Sequence, residues 1–173
     1  MTAVQVLKKA GVDVSKHSSA VGSAKADWKT YPSYKPSGIE WLRDVPEHWV
    51  SQKVRFGFSV QLGKMLQPEA TSENDCELPY LKAQHVQWNR VRVDELPTMW
   101  ATDAESQKYG VMDGDLLVCE GGEVGRGGIV RNPSERTIIQ NALHRVRPRH
   151  GNETRFLLYV LYHASSQHWF EIL

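Results

Sequence analysis

Between residues 110 and 147 the hydrophobic positions are spaced as in a sheet. Leu116-Leu117-Val118-Cys119 is apolar without interruption, which predicts a buried strand from Asp115 to Cys119. It runs into the glycine-rich stretch GGEVGRGG, carrying Arg126, from which a second strand returns. A third strand, beginning near Thr137, carries Gln140, Asn141, His144, Arg145 and Arg147. Upstream, PYLKAQHVQWNRVRV (79–93) predicts two strands around a tight turn at Trp88-Asn89-Arg90. Leu81, Ala83 and His85 alternate with Tyr80, Lys82, Gln84 and Val86 in the first, and Val91 and Val93 share a face of the second.

Helical patterns are few. Thr102 with Glu105 three residues on forms a capping box for a short helix that Gly110 ends. Asp113-Gly114-Asp115 then turns the chain into the buried strand. Pro148 and Gly151 break the sheet pattern, and Asn152 is placed to cap a final helix running to the last residue. Its Phe156, Leu157, Val160, Leu161, His163 and Ala164 give it a broad apolar side.

The first half is less regular. Residues 2–10 suit a short helix stopped by Gly11, and 15–27 are rich in Ser, Ala, Gly and Lys, so order is expected from about Trp28. Pro32, Pro36 and Pro46 make 31–49 extended and turn-rich, with Ile39, Trp41 and Leu42 plugging onto the domain. Trp49 to Phe58 suits a strand or a short helix; Gly63-Lys64 opens a polar loop over 67–79. The fold class that follows is α/β in the α+β sense: a twisted, mostly antiparallel sheet or partial barrel with flanking helices.

Composition bounds rather than decides. The 173 residues, 40% hydrophobic and 24% charged, suit one soluble domain with its own core. Net charge is +1, so bulk charge announces no polyanion. The distribution is uneven: residues 94–123 carry eight acids against Lys108, and 124–155 carry seven arginines against Glu135 and Glu153. The second segment predicts a positive field on one face. Cys76 and Cys119 form no ligand or disulfide pattern, and Cys119 reads as a small core residue. No apolar run is long enough to span a bilayer, and Lys8-Lys9 stand where a signal peptide needs its apolar core, so the cytoplasm is the expected compartment.

The chemistry points to binding. GGEVGRGG lacks the lysine and hydroxyl of a phosphate-binding P-loop and the GxGxxG of a dinucleotide fold. It reads either as a tight turn or as a turn whose bare amides, with Arg126, approach a DNA phosphate. A nuclease would need clustered carboxylates; Asp113, Asp115, Glu120 and Glu123 are available, but Asp-Gly-Asp is turn chemistry. Gln and Asn can grip adenine by two hydrogen bonds, and Arg grips guanine or phosphate. Lys64, Lys82, Arg126 and Arg145 are therefore expected on phosphates. Gln84, Gln87, Asn89, Arg90 and Asn141 are expected on base edges, with Trp88, Gln140 and His144 beside them.

YPSYKPSGIEWLRDVPEHW, PYLKAQHVQW, GDLLVCEGGEVGRGGIV, IIQNALHRVRP and RFLLYVLY occur here in that order. Over about residues 30–170 the chain resembles the target-recognition domain of type I restriction–modification specificity subunits. The resemblance implies a non-catalytic reader of one half of a bipartite duplex DNA target. Two adenine methyltransferase subunits and a restriction subunit would be its partners, and S-adenosylmethionine, ATP and magnesium would belong to them. It divides the chain into a leader (1–27), a recognition domain (28–154) and a helix (155–173) leading toward a spacer helix. One recognition domain implies a fragment, a truncation or a half-subunit that pairs with a second copy or second recognition domain. The alternatives are a protein-interaction module that captures methyltransferase subunits, and a nuclease.

Overall fold

The computed structural model describes residues 30–39, 42 and 44–172. The leader and short helix expected before Trp28, and the plug expected of Trp41, lie outside these residues. In chain order the strands and helices are β1 (Tyr34–Pro36), β2 (Asp44–Pro46), α1 (Val54–Gly57), β3 (Phe58–Leu62) and β4 (Cys76–Leu81). There follow β5 (Val86–Gln87), β6 (Arg90–Val91), β7 (Thr98–Ala101), α2 (Asp103–Tyr109), β8 (Leu116–Cys119) and β9 (Gly127–Ile129). The last are β10 (Ile138–Ile139), β11 (Leu143–Pro148), α3 (Thr154–Ser166) and α4 (Trp169–Ile172).

The architecture is α+β and mostly antiparallel, as the pattern predicts, but the strands divide between two main sheets. One has four strands in the order β3-β11-β8-β9; the other has three, in the order β10-β4-β7, with β10 parallel to β4. Two small hairpins, β1–β2 and β5–β6, complete the set. β8 explains the layering. Leu116 and Val118 face a core in which Phe58, Ile129 and Val146 meet Leu157, Leu158 and Val160 of α3. Leu117 and Cys119 face the opposite way, against Leu81, Val86, Val91, Ile139 and Leu143. Successive strand residues point to opposite faces, so a strand covered on both sides must be apolar at every position. A third cluster, Leu78, Tyr80, Met99, Ala101 and Ile138, closes the three-stranded sheet.

Several expectations are corrected in detail. The strand expected from Thr137 onward is two strands in different sheets, β10 and β11, separated by a turn in which Leu143 N–H donates to the Gln140 carbonyl (2.9 Å). The alternation expected through Tyr80–Val86 stops at Leu81, and Ala83–His85 form a 3₁₀ turn. There Nδ1 of buried His85 accepts from Lys82 N–H (3.1 Å), which a continuous strand would not allow. The capping box holds: Thr102 Oγ1 accepts from Glu105 N–H and Glu105 Oε2 accepts from Thr102 N–H. Asn152 does not cap α3. Glu153 is the residue at that position, and Asn152 Nδ2 bonds the Arg149 carbonyl instead (2.6 Å). The final helix also breaks, at Gln167–His168, before α4.

Glycine is required where backbones meet. A Cβ on Gly128 would lie 2.5 Å from the Arg90 carbonyl oxygen and 2.8 Å from that of Gln87. The bare backbone of the glycine-rich stretch thus seats the chain's own β5–β6 hairpin on β9, and the close approach expected toward a DNA phosphate is made to protein. Gly128→Ala should lower stability by about 1–3 kcal/mol or more, the range for forcing a methyl into a packed site; a denaturant midpoint matching wild type would refute the packing.

His163 supplies a pH dependence. Its side chain is buried on the inward face of α3, and Nε2 has no hydrogen-bond partner among the described residues. Burial holds the imidazole below its usual range of about 6.5. A base whose folded pKa is depressed stabilises fully above the unfolded value and progressively less as pH falls through the folded one. Wild-type denaturation midpoints should therefore fall below about pH 6.5, and His163→Leu should flatten that fall; an unchanged profile would exclude His163 as a source.

Candidate nucleic-acid interface

The tertiary structure folds the acidic segment onto the basic one. Arg147 Nε and Nη2 donate to Asp115 Oδ1 and Oδ2 (2.6 and 2.9 Å), and Arg131 Nη1 to Asp113 Oδ2 (2.9 Å). Arg126 pairs with Glu123 (3.1 Å) and Arg136 with Asp103. His144 Nε2 lies 3.5 Å from Glu120 Oε2. The broad positive face expected of 124–155 is thereby largely neutralised, although Arg149 and Arg155 remain exposed. The same pairs occupy the carboxylates that a nuclease would need. Asp113 accepts from Asn132 N–H and Arg131, and these bonds hold it below the usual carboxylate range. Among the described residues no three His, Cys, Asp or Glu side chains converge as a metal site.

Three cations expected on phosphates point inward. Arg145 is 8% exposed and donates to the Gly110 carbonyl, where α2 ends. Lys64, also 8% exposed, donates through Nζ to Glu105 Oε1 of α2 (2.6 Å). Arg126 reaches Glu123, the Ala83 carbonyl (3.2 Å) and Cys119 Sγ (3.9 Å). In each case the physical reason is a protein acceptor close to the cation: a helix-terminal carbonyl, a capping carboxylate, a turn carbonyl. Burial raises Glu105, but its bonds from Lys64 and Thr102 outweigh that and hold it below the usual range. Trp88 is likewise engaged: Nε1 donates to Glu123 Oε1 (2.7 Å) and the ring packs edge-on against Tyr162 of α3, 5.0 Å between centroids.

The remaining predicted residues come together at one edge, and parallel pairing does it. Ile139 of β10 pairs in parallel with Leu81 of β4, and Gln140 forms a parallel bridge with Lys64. Gln140 N–H donates to the Leu81 carbonyl (2.9 Å), Lys64 N–H to that of Ile139 (2.8 Å) and Asn141 N–H to that of Lys64 (2.9 Å). Three segments therefore leave the sheet side by side in one direction, carrying Lys82 and Gln84, then Gln140 and Asn141, then Met65 and Leu66. Neighbouring backbones in such a ladder lie about 4.8 Å apart. Gln84 and Asn141 are exposed, and Lys82 and Gln140 half-buried. The β5–β6 hairpin continues the surface: Gln87, Asn89, Arg90 and Arg92 are exposed, and Asn89 makes its tight turn at φ 64°. Burial first, then the charges of Arg92 and Lys82, push the His85 imidazole down. Lys82, Arg90 and Arg92 thus put basic side chains here, upstream of the segment where charge counting placed them.

Sequence reading passed over Met65 and Leu66, whose signal was an apolar pair directly before a polar loop, and over Glu123 as the acceptor shared by Trp88 and Arg126.

No family model and no curated protein matches the sequence. Solved structures do. The fold resembles that of part of the HsdS subunit, a type I restriction–modification specificity subunit. The crystal structure of HsdS from Thermoanaerobacter tengcongensis superposes with a TM-score of 0.53 at 18% identity, covering 78% of this chain and 31% of that one. A structure from work on complex assembly and conformational transition of the type I R-M system aligns with a TM-score of 0.40 at 14% identity, over 83% of this chain and 31% of that one. The chain thus spans about a third of the length of each.

The assignment of Lys64 is testable. Lys64→Met should lower stability by about 1 kcal/mol, the scale for removing the partner of a carboxylate that is 32% exposed. Glu105 is depressed, so this contribution is present above about pH 4.5 and lost as pH falls below it. The salt dependence of any duplex binding should be unchanged; a slope reduced by about one unit would return Lys64 to the phosphate contacts.

Proposed function

We propose that this chain is a DNA target-recognition domain that reads one half of a bipartite duplex target within a type I restriction–modification assembly. The observation that carries the reading is the edge where Lys82, Gln84, Gln140 and Asn141 emerge beside the Gln87–Arg92 hairpin. The HsdS-like fold supports it. Amide side chains offer the paired donor and acceptor that adenine presents in the major groove, and Arg90 offers the fork that fits guanine. Lys82 and Arg92 supply the sequence-independent attraction to phosphates. Short strands and a two-residue turn place these groups on a rigid base, so little ordering entropy is lost on binding.

Catalysis then belongs to other subunits. Adenine methyltransferase and restriction subunits would bind S-adenosylmethionine, ATP and magnesium, and a second recognition domain, or a second copy of this chain, would read the other half-site. The assembly would act in the cytoplasm; among the described residues no helix is long and apolar enough to cross a membrane.

Selection from a random duplex library, followed by anisotropy titration, tests the reading. The chain should enrich a defined half-site. Lys82→Ala should weaken all duplexes alike and flatten the log–log salt slope by about 0.9. Gln84→Ala should relax preference at one position by about 1–3 kcal/mol. Absence of duplex binding, or cleavage or methylation by this chain alone, would overturn the proposal.

A further inference from the structure

We propose that Met65 and Leu66 form an apolar tip that packs on the bases of the bound duplex. The inference rests on the DNA-reading assignment and deepens it. Met65 is 73% exposed and Leu66 45%, an adjacent apolar pair whose covering by a partner would remove apolar surface from water. They do not sit on a loose loop. Gly63 N–H donates to the Leu143 carbonyl (3.0 Å), Lys64 is bonded through its backbone to Ile139 and Asn141, and Gln67 accepts from Trp100 N–H (2.9 Å). A Cβ on Gly63 would lie 2.2 Å from the Gln140 carbonyl oxygen, so the segment lies directly against the turn that carries Asn141. Lys64 Nζ then anchors the tip from within, through Glu105 of α2.

Backbone bonds on both sides hold the pair outward, third in the row after Lys82–Gln84 and Gln140–Asn141. A duplex lying along that row meets the tip. Met and Leu are among the side chains that pack between or against base steps, where the contact is apolar and carries no counterion release. The tip therefore adds affinity that salt does not remove, and it discriminates by the deformability of the step it meets.

The test uses the 173-residue chain and the duplex it selects from a random library. The double variant Met65→Ser, Leu66→Ser should bind about 10- to 100-fold more weakly, the loss expected for two apolar contacts. Its salt slope and thermal melting should match wild type, and 2-aminopurine placed across the half-site should lose the fluorescence rise that wild type produces at one step. Affinity within twofold of wild type, with melting unchanged, would overturn the tip and leave the reader standing; a patch that serves a protein partner gives this result. Failure of the wild-type chain to bind any duplex would overturn both.

Discussion

The ion pair between Asp115 and Arg147 is the constraint on which the arrangement depends. Asp115 is buried at the entrance to β8, and both its oxygens accept from one guanidinium. A lone carboxylate there would be severely destabilising, and removing one member of such a pair costs about 3–5 kcal/mol. The pair joins β8 to β11, and Arg147 extends to the Gly110 carbonyl, which Arg145 also reaches. Two guanidiniums on the carbonyl after α2, and Lys64 on the carboxylate that caps its start, fix this helix to the sheet at both ends. Cations that composition alone would assign to a partner are consumed in assembling the domain.

That internal use determines where a polyanion can be met. With the 124–155 arginines largely paired, the β5–β6 hairpin and the row of chain segments beside β10 still carry exposed Gln84, Gln87, Asn89, Arg90, Arg92 and Asn141. The hairpin cannot move independently of the rest. Gly128 admits its backbone onto β9, and Glu123 joins Trp88 to Arg126 across the glycine-rich turn. Trp88 also meets Tyr162, so the orientation of α3 and that of the β5–β6 hairpin are mechanically linked. The helix α3 and the β5–β6 hairpin thus share one packed junction.

Much of this was legible in the chain. The unbroken apolar run of β8, the capping box of α2, the turn chemistry of Asp113-Gly114-Asp115 and the core position of Cys119 each follow from local rules that tertiary context leaves intact. Gln84, Gln87, Asn89, Arg90 and Asn141 were singled out by what their side chains can bond, and all five are exposed. Lys64 and Arg145 were misplaced because nothing local to them announces an acceptor, their partners being 41 and 35 residues away; Arg126 was misplaced although Glu123 lies three residues before it, and it also meets Ala83 across 43.

Local periodicity and capping determined which residues are strand, helix and core, because those preferences act over a few residues. Only the tertiary structure decided which charges face solvent. The reason is that a charge is silent about its partner until long-range pairing brings one within about 3 Å, where a buried acceptor outcompetes water. The parallel ladder from β4 through β10 to Lys64 is likewise invisible in sequence, since segments far apart along the chain need share no motif to become neighbours. That ladder brings Lys82, Gln84, Asn141 and the Met65–Leu66 tip to one edge.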